Sequence, residues 1–161
     1  MNTKKIYRFL FVALFALAVT PAFSQFSAGF NMGFPSGNWS NYEGTGFGLD
    51  VRYEKPIQEK LNWTVSGGFL SFSGKNSANG ITAVPILGGI KYYFEKSNAG
   101  FYGAADIGFA ILSGGGSSVN RFAFTPGVGY CLEKFDFSFR YNAVSDFNYL
   151  GLRAAYIFPG K

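Results

Sequence analysis

Residues 25–34 read QFSAGFNMGF, with the apolar residues Phe26, Phe30, Met32 and Phe34 on alternate positions and Gln, Ser, Gly and Asn between them. Successive side chains of a β-strand point to opposite faces. This stretch therefore predicts a strand with one bulky apolar face and one small, polar face. That pattern is typical of a β-barrel with hydrocarbon outside and a narrow polar interior.

The same alternation recurs in seven further segments. We predict strands over 25–34, 45–54, 61–72, 81–94, 100–112, 120–132, 135–142 and 149–158. Each is near the roughly 9–11 residues with which a tilted strand crosses a bilayer. The sequence thus predicts an all-β fold, namely a closed eight-stranded antiparallel up-and-down transmembrane β-barrel.

The connections between these segments alternate in character. Residues 35–44, 73–80, 113–119 and 143–148 are rich in Gly, Ser and Asn, whereas residues 55–60, 95–99 and 133–134 are short and charged. Long outer loops and short periplasmic turns are the outer-membrane arrangement. An even number of strands then places both termini in the periplasm.

The strand registers are assigned from the aromatic residues alone, so the positions of the charged residues are an independent test of them. On the small-residue face lie Asp50, Arg52, Glu54, Lys91, Asp106, Arg121, Asp136, Arg140 and Arg153, and the predicted strands carry no charge on the bulky face. An outward Lys or Arg near the bilayer midplane would cost about 2–4 kcal/mol. We predict that the nine residues form a lumen charge network, which is either a salt-bridged plug or the lining of a narrow ion path.

Aromatic residues gather near the ends of the bulky faces, where Trp and Tyr keep their polar atoms wet at a membrane interface. The predicted interface aromatics are Tyr53, Trp63, Tyr92, Phe94, Phe101, Tyr130, Tyr141, Tyr156 and Phe158. Pro85 and Pro126 fall inside two strands and lack the N–H that a closed barrel needs, so we expect a bulge or an interrupted ladder near each.

The N-terminus has the features of a secretory signal peptide. Basic residues at 4, 5 and 8 precede an apolar run over 9–19 and the small-residue site Ala22-Phe23-Ser24. We predict a signal peptide over 1–24 and one barrel domain over 25–161. Removal of the leader lowers the net charge from +5 to +2, and no basic patch is left to favour nucleic acid.

The sequence offers little chemistry for catalysis. It contains no histidine and one cysteine, Cys131, which excludes Ser-His and Cys-His nucleophile pairs and leaves few ligands for a transition metal. We expect no enzymatic activity, no catalytic residues, no cofactor and no metal. Cys131 is interpreted as a small residue facing the lumen.

Two stretches resemble a known family. Residues 84–94 (VPILGGIKYYF), followed by a charged turn and FYGAADIG at 101–108, resemble the outer-membrane β-barrel domain proteins of Bacteroidota, which are small barrels of the OmpA/OmpX kind. The terminal LGLRAAYIF at 150–158 is similar to the final aromatic strand that such barrels present to the assembly machinery, although Pro159-Gly160-Lys161 follows it. The resemblance implies a Gram-negative outer-membrane location and carries over no site residue.

Three functional hypotheses follow. The first is a small outer-membrane barrel with a structural or surface-interaction role and a plugged lumen, whose partners are outer-membrane lipid, lipopolysaccharide and the assembly machinery. The second is a narrow pore for ions or very small solutes. The third is a soluble secreted barrel that binds an apolar ligand in an aromatic interior. The sequence leaves the oligomeric state open.

Overall fold

A computed structural model describes residues 24–75, 80–95 and 98–159. The predicted signal peptide lies outside these residues except for Ser24. Eight strands follow one another: β1 (Gln25–Pro35), β2 (Glu43–Gln58), β3 (Leu61–Gly74), β4 (Ile81–Tyr93), β5 (Gly100–Gly114), β6 (Ser117–Cys131), β7 (Phe135–Val144) and β8 (Phe147–Phe158). A short 3₁₀ helix (Gly37–Asn41) lies between β1 and β2.

The strands form a closed barrel. Each pairs antiparallel with the next, and β1 pairs with β8 from Phe26↔Phe158 to Pro35↔Tyr149. The predicted closed eight-stranded antiparallel up-and-down barrel is therefore confirmed. No helix among the described residues is long and apolar enough to cross a membrane.

Side-chain direction follows the alternation in the sequence. Phe30, Ile86 and Phe137 point outward and are 47%, 59% and 48% exposed, whereas Lys91 and Arg153 are buried inside. The nine predicted interface aromatics all lie on the outer face, where Tyr53 and Trp63 pack edge to face at 5.5 Å. The outer wall is thus bulky and apolar over the whole circumference that the strands form.

Three connections are tighter than the sequence predicts. The β5–β6 turn is Gly115-Gly116, both with positive φ, and the β7–β8 turn is Ser145-Asp146, in which Asp146 has a φ of 69°. Residues with positive φ close two-residue hairpins that match the twist of the strands. The prediction of loops over 113–119 and 143–148 is therefore wrong. Most of these residues instead extend the paired strands up to the two-residue turns.

The third tight connection is at the opposite end, where β2 runs to Gln58 and leaves Glu59-Lys60 as the turn. Lys55, which falls in the predicted connection 55–60, lies instead in β2 at an outward-facing position beyond Tyr53. The predicted contrast between long loops and short turns is consequently weak. The connection with the 3₁₀ helix is the longest among those fully described.

The two prolines interrupt ladders as expected. The β3–β4 ladder lacks pairs for Pro85 and its neighbour Val84, and the β6–β7 ladder lacks pairs for Pro126 and its neighbour Thr125. On its other side each proline pairs normally with β5. The missing N–H is therefore accommodated by a short gap on one side of each strand, without a change of register.

Candidate functional site

The middle of the lumen holds a network of ionised side chains. Strand alternation brings inward eight of the nine predicted residues, all at most 9% exposed: Asp50, Arg52, Glu54, Lys91, Asp106, Asp136, Arg140 and Arg153. They come from five strands and meet across a narrow interior. Four are acids and four are bases, so the network is formally neutral.

Lys91 is the link between two acids. Its Nζ lies 3.0 Å from Glu54 Oε1 and 2.5 Å from Asp136 Oδ2. The ammonium also lies 3.9 Å from the centroid of the Tyr102 ring, a cation–π distance. A buried cation is tolerated when it is paired in this way.

Arg153 joins Asp136 to a third acid, Asp50. Its Nε donates to both carboxylate oxygens of Asp50 at 2.9 Å, and its Nη1 lies 3.4 Å from Asp136 Oδ1. Arg140 Nη2 lies 3.8 Å from Asp50 Oδ2 and donates to Asn31 Oδ1 at 2.5 Å. Two guanidinium groups thus share one carboxylate.

Arg52 completes the network with Asp106. Its Nη2 lies 3.1 Å from Asp106 Oδ2, while Thr64 Oγ1 donates to Asp106 Oδ1 at 2.7 Å. Arg121 does not belong to this group. It lies at the loop end of β6, with its Nε 3.2 Å from Asp146 Oδ2 and 38% of its side chain exposed. The placement of Arg121 in the lumen network is therefore corrected: β6 extends past the enclosed lumen at that position.

Glycines make room for these side chains. A Cβ at Gly29 would lie 2.7 Å from Asp50 Oδ1 and 2.9 Å from Arg153 Nε. A Cβ at Gly89 would overlap the Ala105 carbonyl oxygen and Asp106 Oδ1. The small-residue face predicted from the sequence is therefore a packing requirement of the charged layer.

An apolar layer lies above the charges, at the loop end. Its buried members are Leu70, Phe72, Ala83, Leu87, Ala110, Ala123, Val144, Phe147 and Tyr149. Phe72 packs edge to face against Phe147 at 5.0 Å and Tyr149 at 5.2 Å. The sequence analysis missed this layer, although Leu70, Phe72 and Leu87 share the inward-facing parity of the predicted charges.

A second aromatic layer lies below the charges, at the turn end. It contains Tyr93, Tyr102, Cys131 and Ile157. The Tyr102 hydroxyl donates to Asp136 Oδ1 at 2.8 Å, and the Tyr93 hydroxyl donates to Glu54 Oε2 at 3.4 Å. Cys131 is buried with a free thiol, so it occupies the inward position that the sequence predicts.

The three layers leave little free space between them. A cavity among Asp50, Arg140, Asn142 and Tyr149 measures about 20 Å³. That volume accommodates about one water molecule. Buried polar atoms beside it, including Asn31 Nδ2 and Arg140 Nε, have no hydrogen-bond partner within the protein. One water molecule in this cavity would give such atoms hydrogen-bond partners.

Solved structures of outer-membrane barrels resemble this fold. Neisserial surface protein A has a TM-score of 0.64 at 18% identity, covering 84% of this chain and 96% of that one. Ail, the attachment invasion locus protein of Yersinia pestis, has a TM-score of 0.53 at 18% identity, with 84% and 97% covered. The N-terminal β-barrel domain of Pseudomonas aeruginosa OprF has a TM-score of 0.54 at 13% identity, with the same coverage.

No protein-family model matches the chain, and no curated protein sequence matches it. At these identities the structural likeness establishes the fold, and function has to be argued from the residues.

The charged layer predicts different losses of folding stability for two substitutions by methionine, one inside the layer and one outside it. Lys91→Met leaves Glu54 and Asp136 without their shared cation and should lower the free energy of unfolding by about 3–5 kcal/mol. Arg121→Met removes an exposed pair with Asp146 and should change it by less than about 1 kcal/mol. Urea unfolding in detergent, followed by the gel mobility of unboiled samples, measures both. Equal losses for the two variants would contradict the network.

Proposed function

We propose that this chain is an integral outer-membrane β-barrel with both termini in the periplasm and a structural or surface-interaction role. The observation that carries the proposal is the difference in polarity between the outer and inner faces of the barrel wall. Large apolar side chains such as Phe30, Ile86, Phe109 and Val128 are 47–64% exposed on the outside, while the ionised groups of the lumen are buried.

This outer wall is unsuited to water. Soluble monomers rarely expose continuous apolar patches larger than a few hundred Å², and here such residues occupy all eight strands. Lipid hydrocarbon is the solvent that favours this surface. The soluble alternative requires the aromatic face inside, and the observed side-chain directions oppose it.

The layered lumen favours a plug over a pore. Two aromatic and apolar layers close a neutral ion-pair layer from both ends, and an eight-stranded barrel is just wide enough for side chains to fill. Moving an ion through would require the salt bridges of Lys91 and Arg153 to open in a region without bulk water. The plug therefore serves stability, and interaction with other molecules falls to the barrel ends.

The same proposal covers partners and lineage. The outer wall would contact lipid and lipopolysaccharide, and β8, which ends in Tyr156 and Phe158 on the outer face, would be read by the assembly machinery. The chain is proposed as a member of the Bacteroidota type that its sequence resembles. It is proposed as a non-enzymatic protein, since a chain without histidine lacks the usual general base at neutral pH.

Outward arginines at two positions should test the membrane placement. Ile86→Arg puts a charge in the middle of the apolar wall and should lower the free energy of unfolding in lipid bilayers by about 2–4 kcal/mol. Ile57 lies beyond Lys55 on β2, so Ile57→Arg should change the free energy of unfolding little. Folding yield into vesicles over a urea series measures both. In a water-soluble barrel both substitutions would be tolerated alike.

Planar-bilayer recordings should separate the plug from the pore. The purified barrel should insert without steady single-channel conductance, because apolar and aromatic layers close the ion-pair layer at both ends. Steady openings whose conductance changes in Arg52→Gln or Arg140→Gln would support the pore instead. Heat-modifiable gel mobility of the same preparation establishes that a silent sample was folded.

A further inference from the structure

A cavity of about 440 Å³ opens at the loop end of the barrel, above the apolar layer. Trp39, Ile81, Leu112 and Phe147 line much of it, and its charged lining residues are Glu43 and the ion pair of Arg121 with Asp146. Small-molecule sites typically measure about 300–1,000 Å³ and combine an apolar lining with a few placed polar groups. In size and lining, this cavity has the form of a ligand site.

A break in strand register turns Glu43 into the cavity. On β2 the odd-numbered residues Phe47 and Leu49 face outward, and an unbroken strand would send Glu43 outward with them. Between the pairs Glu43↔Gly74 and Gly46↔Phe72 the register shifts by one residue. Bulges at barrel rims re-aim side chains in this way. Glu43 is consequently 2% exposed.

None of the ion pairs among the described residues involves the Glu43 carboxylate. A backbone hydrogen bond from Ile81 reaches it, but Oε2 is buried without a hydrogen-bond partner. Two nearby cations are engaged elsewhere: Lys75 Nζ donates to the Ser40 carbonyl oxygen at 3.1 Å, and Arg121 Nε lies 3.2 Å from Asp146 Oδ2. A buried carboxylate without a partner is costly, so a ligand that brings a cation would be stabilised here.

The 3₁₀ helix provides an aromatic wall beside this acid. Trp39 packs edge to face against Phe147 with ring centroids 5.4 Å apart, and its Nε1 donates to the Asp146 carbonyl oxygen. These contacts hold the first loop over the barrel mouth. Aromatic rings attract both apolar groups and organic cations.

From these observations we infer a binding site for a small amphiphilic amine. The ammonium pairs with Glu43, and the apolar body lies against Trp39, Leu112 and Phe147. The inference deepens the proposed surface-interaction role by naming a ligand class. The site itself does not depend on the membrane placement, because the purified barrel in detergent contains it.

NMR titration of the folded barrel with 2-phenylethylamine tests the site. The chain has two tryptophans, and their indole N–H signals report on different places: Trp39 lies at the cavity, and Trp63 lies on the outer wall beside Tyr53. Saturable shifts of the Trp39 signal are expected while the Trp63 signal stays still. 2-Phenylethanol, which has the same body without the charge, should bind about tenfold more weakly or worse.

Two variants locate the charge. Glu43→Gln should weaken 2-phenylethylamine binding by about tenfold or more and remove its advantage over 2-phenylethanol. Glu59→Gln makes the same chemical change in the β2–β3 turn at the opposite end of the barrel, and it should bind like the unaltered chain. Absence of saturable binding, or equal binding of amine and alcohol to the unaltered chain, would overturn the inference even if Glu43→Gln failed to fold. Neither result would affect the membrane proposal, which the arginine substitutions test separately.

Discussion

Closure of eight strands into one cylinder is the constraint on which this structure depends. A barrel of this size has an interior only wide enough for side chains, so inward residues pack against or pair with residues of other strands. Lys91 on β4 accordingly meets Asp136 on β7, and Arg153 on β8 meets Asp50 on β2. The middle of the lumen is therefore a core of paired polar groups between two apolar and aromatic layers, whereas the outer wall is apolar on all eight strands.

The same constraint explains the order of the layers. Charges concentrate in the middle, where acids and bases balance and each can reach a partner. Aromatic groups seal the two ends, since Phe72 and Phe147 above and Tyr93 and Tyr102 below are nearly inaccessible to solvent. In the proposed plugged lumen, this closure strengthens the ion pairs because it excludes competing water. At the loop end, beyond the apolar layer, lies the cavity that Glu43 and Trp39 line.

Parity along each strand was sufficient to predict the closed barrel, the outward direction of Phe30 and the burial of Lys91. It could not predict where the enclosed lumen ends, so Arg121 was assigned the correct parity and the wrong environment. Nor could it predict the orientation of Glu43, because one extra residue in β2 reverses the parity and nothing local in the sequence marks that shift. The apolar layer around Phe72 was readable from parity but was obscured by the expectation of a polar interior.

The central claim is that hydrocarbon contacts the outer wall and not the inner layers. A carbene-generating probe dissolved in the bilayer, followed by mass spectrometry of the unaltered protein, tests this directly. Labels are expected on Phe30, Ile86 and Phe137, and none on the equally apolar Phe72, Leu87 and Phe147, which the barrel encloses. Comparable labelling of the two sets, or an outer wall without labels, would contradict it.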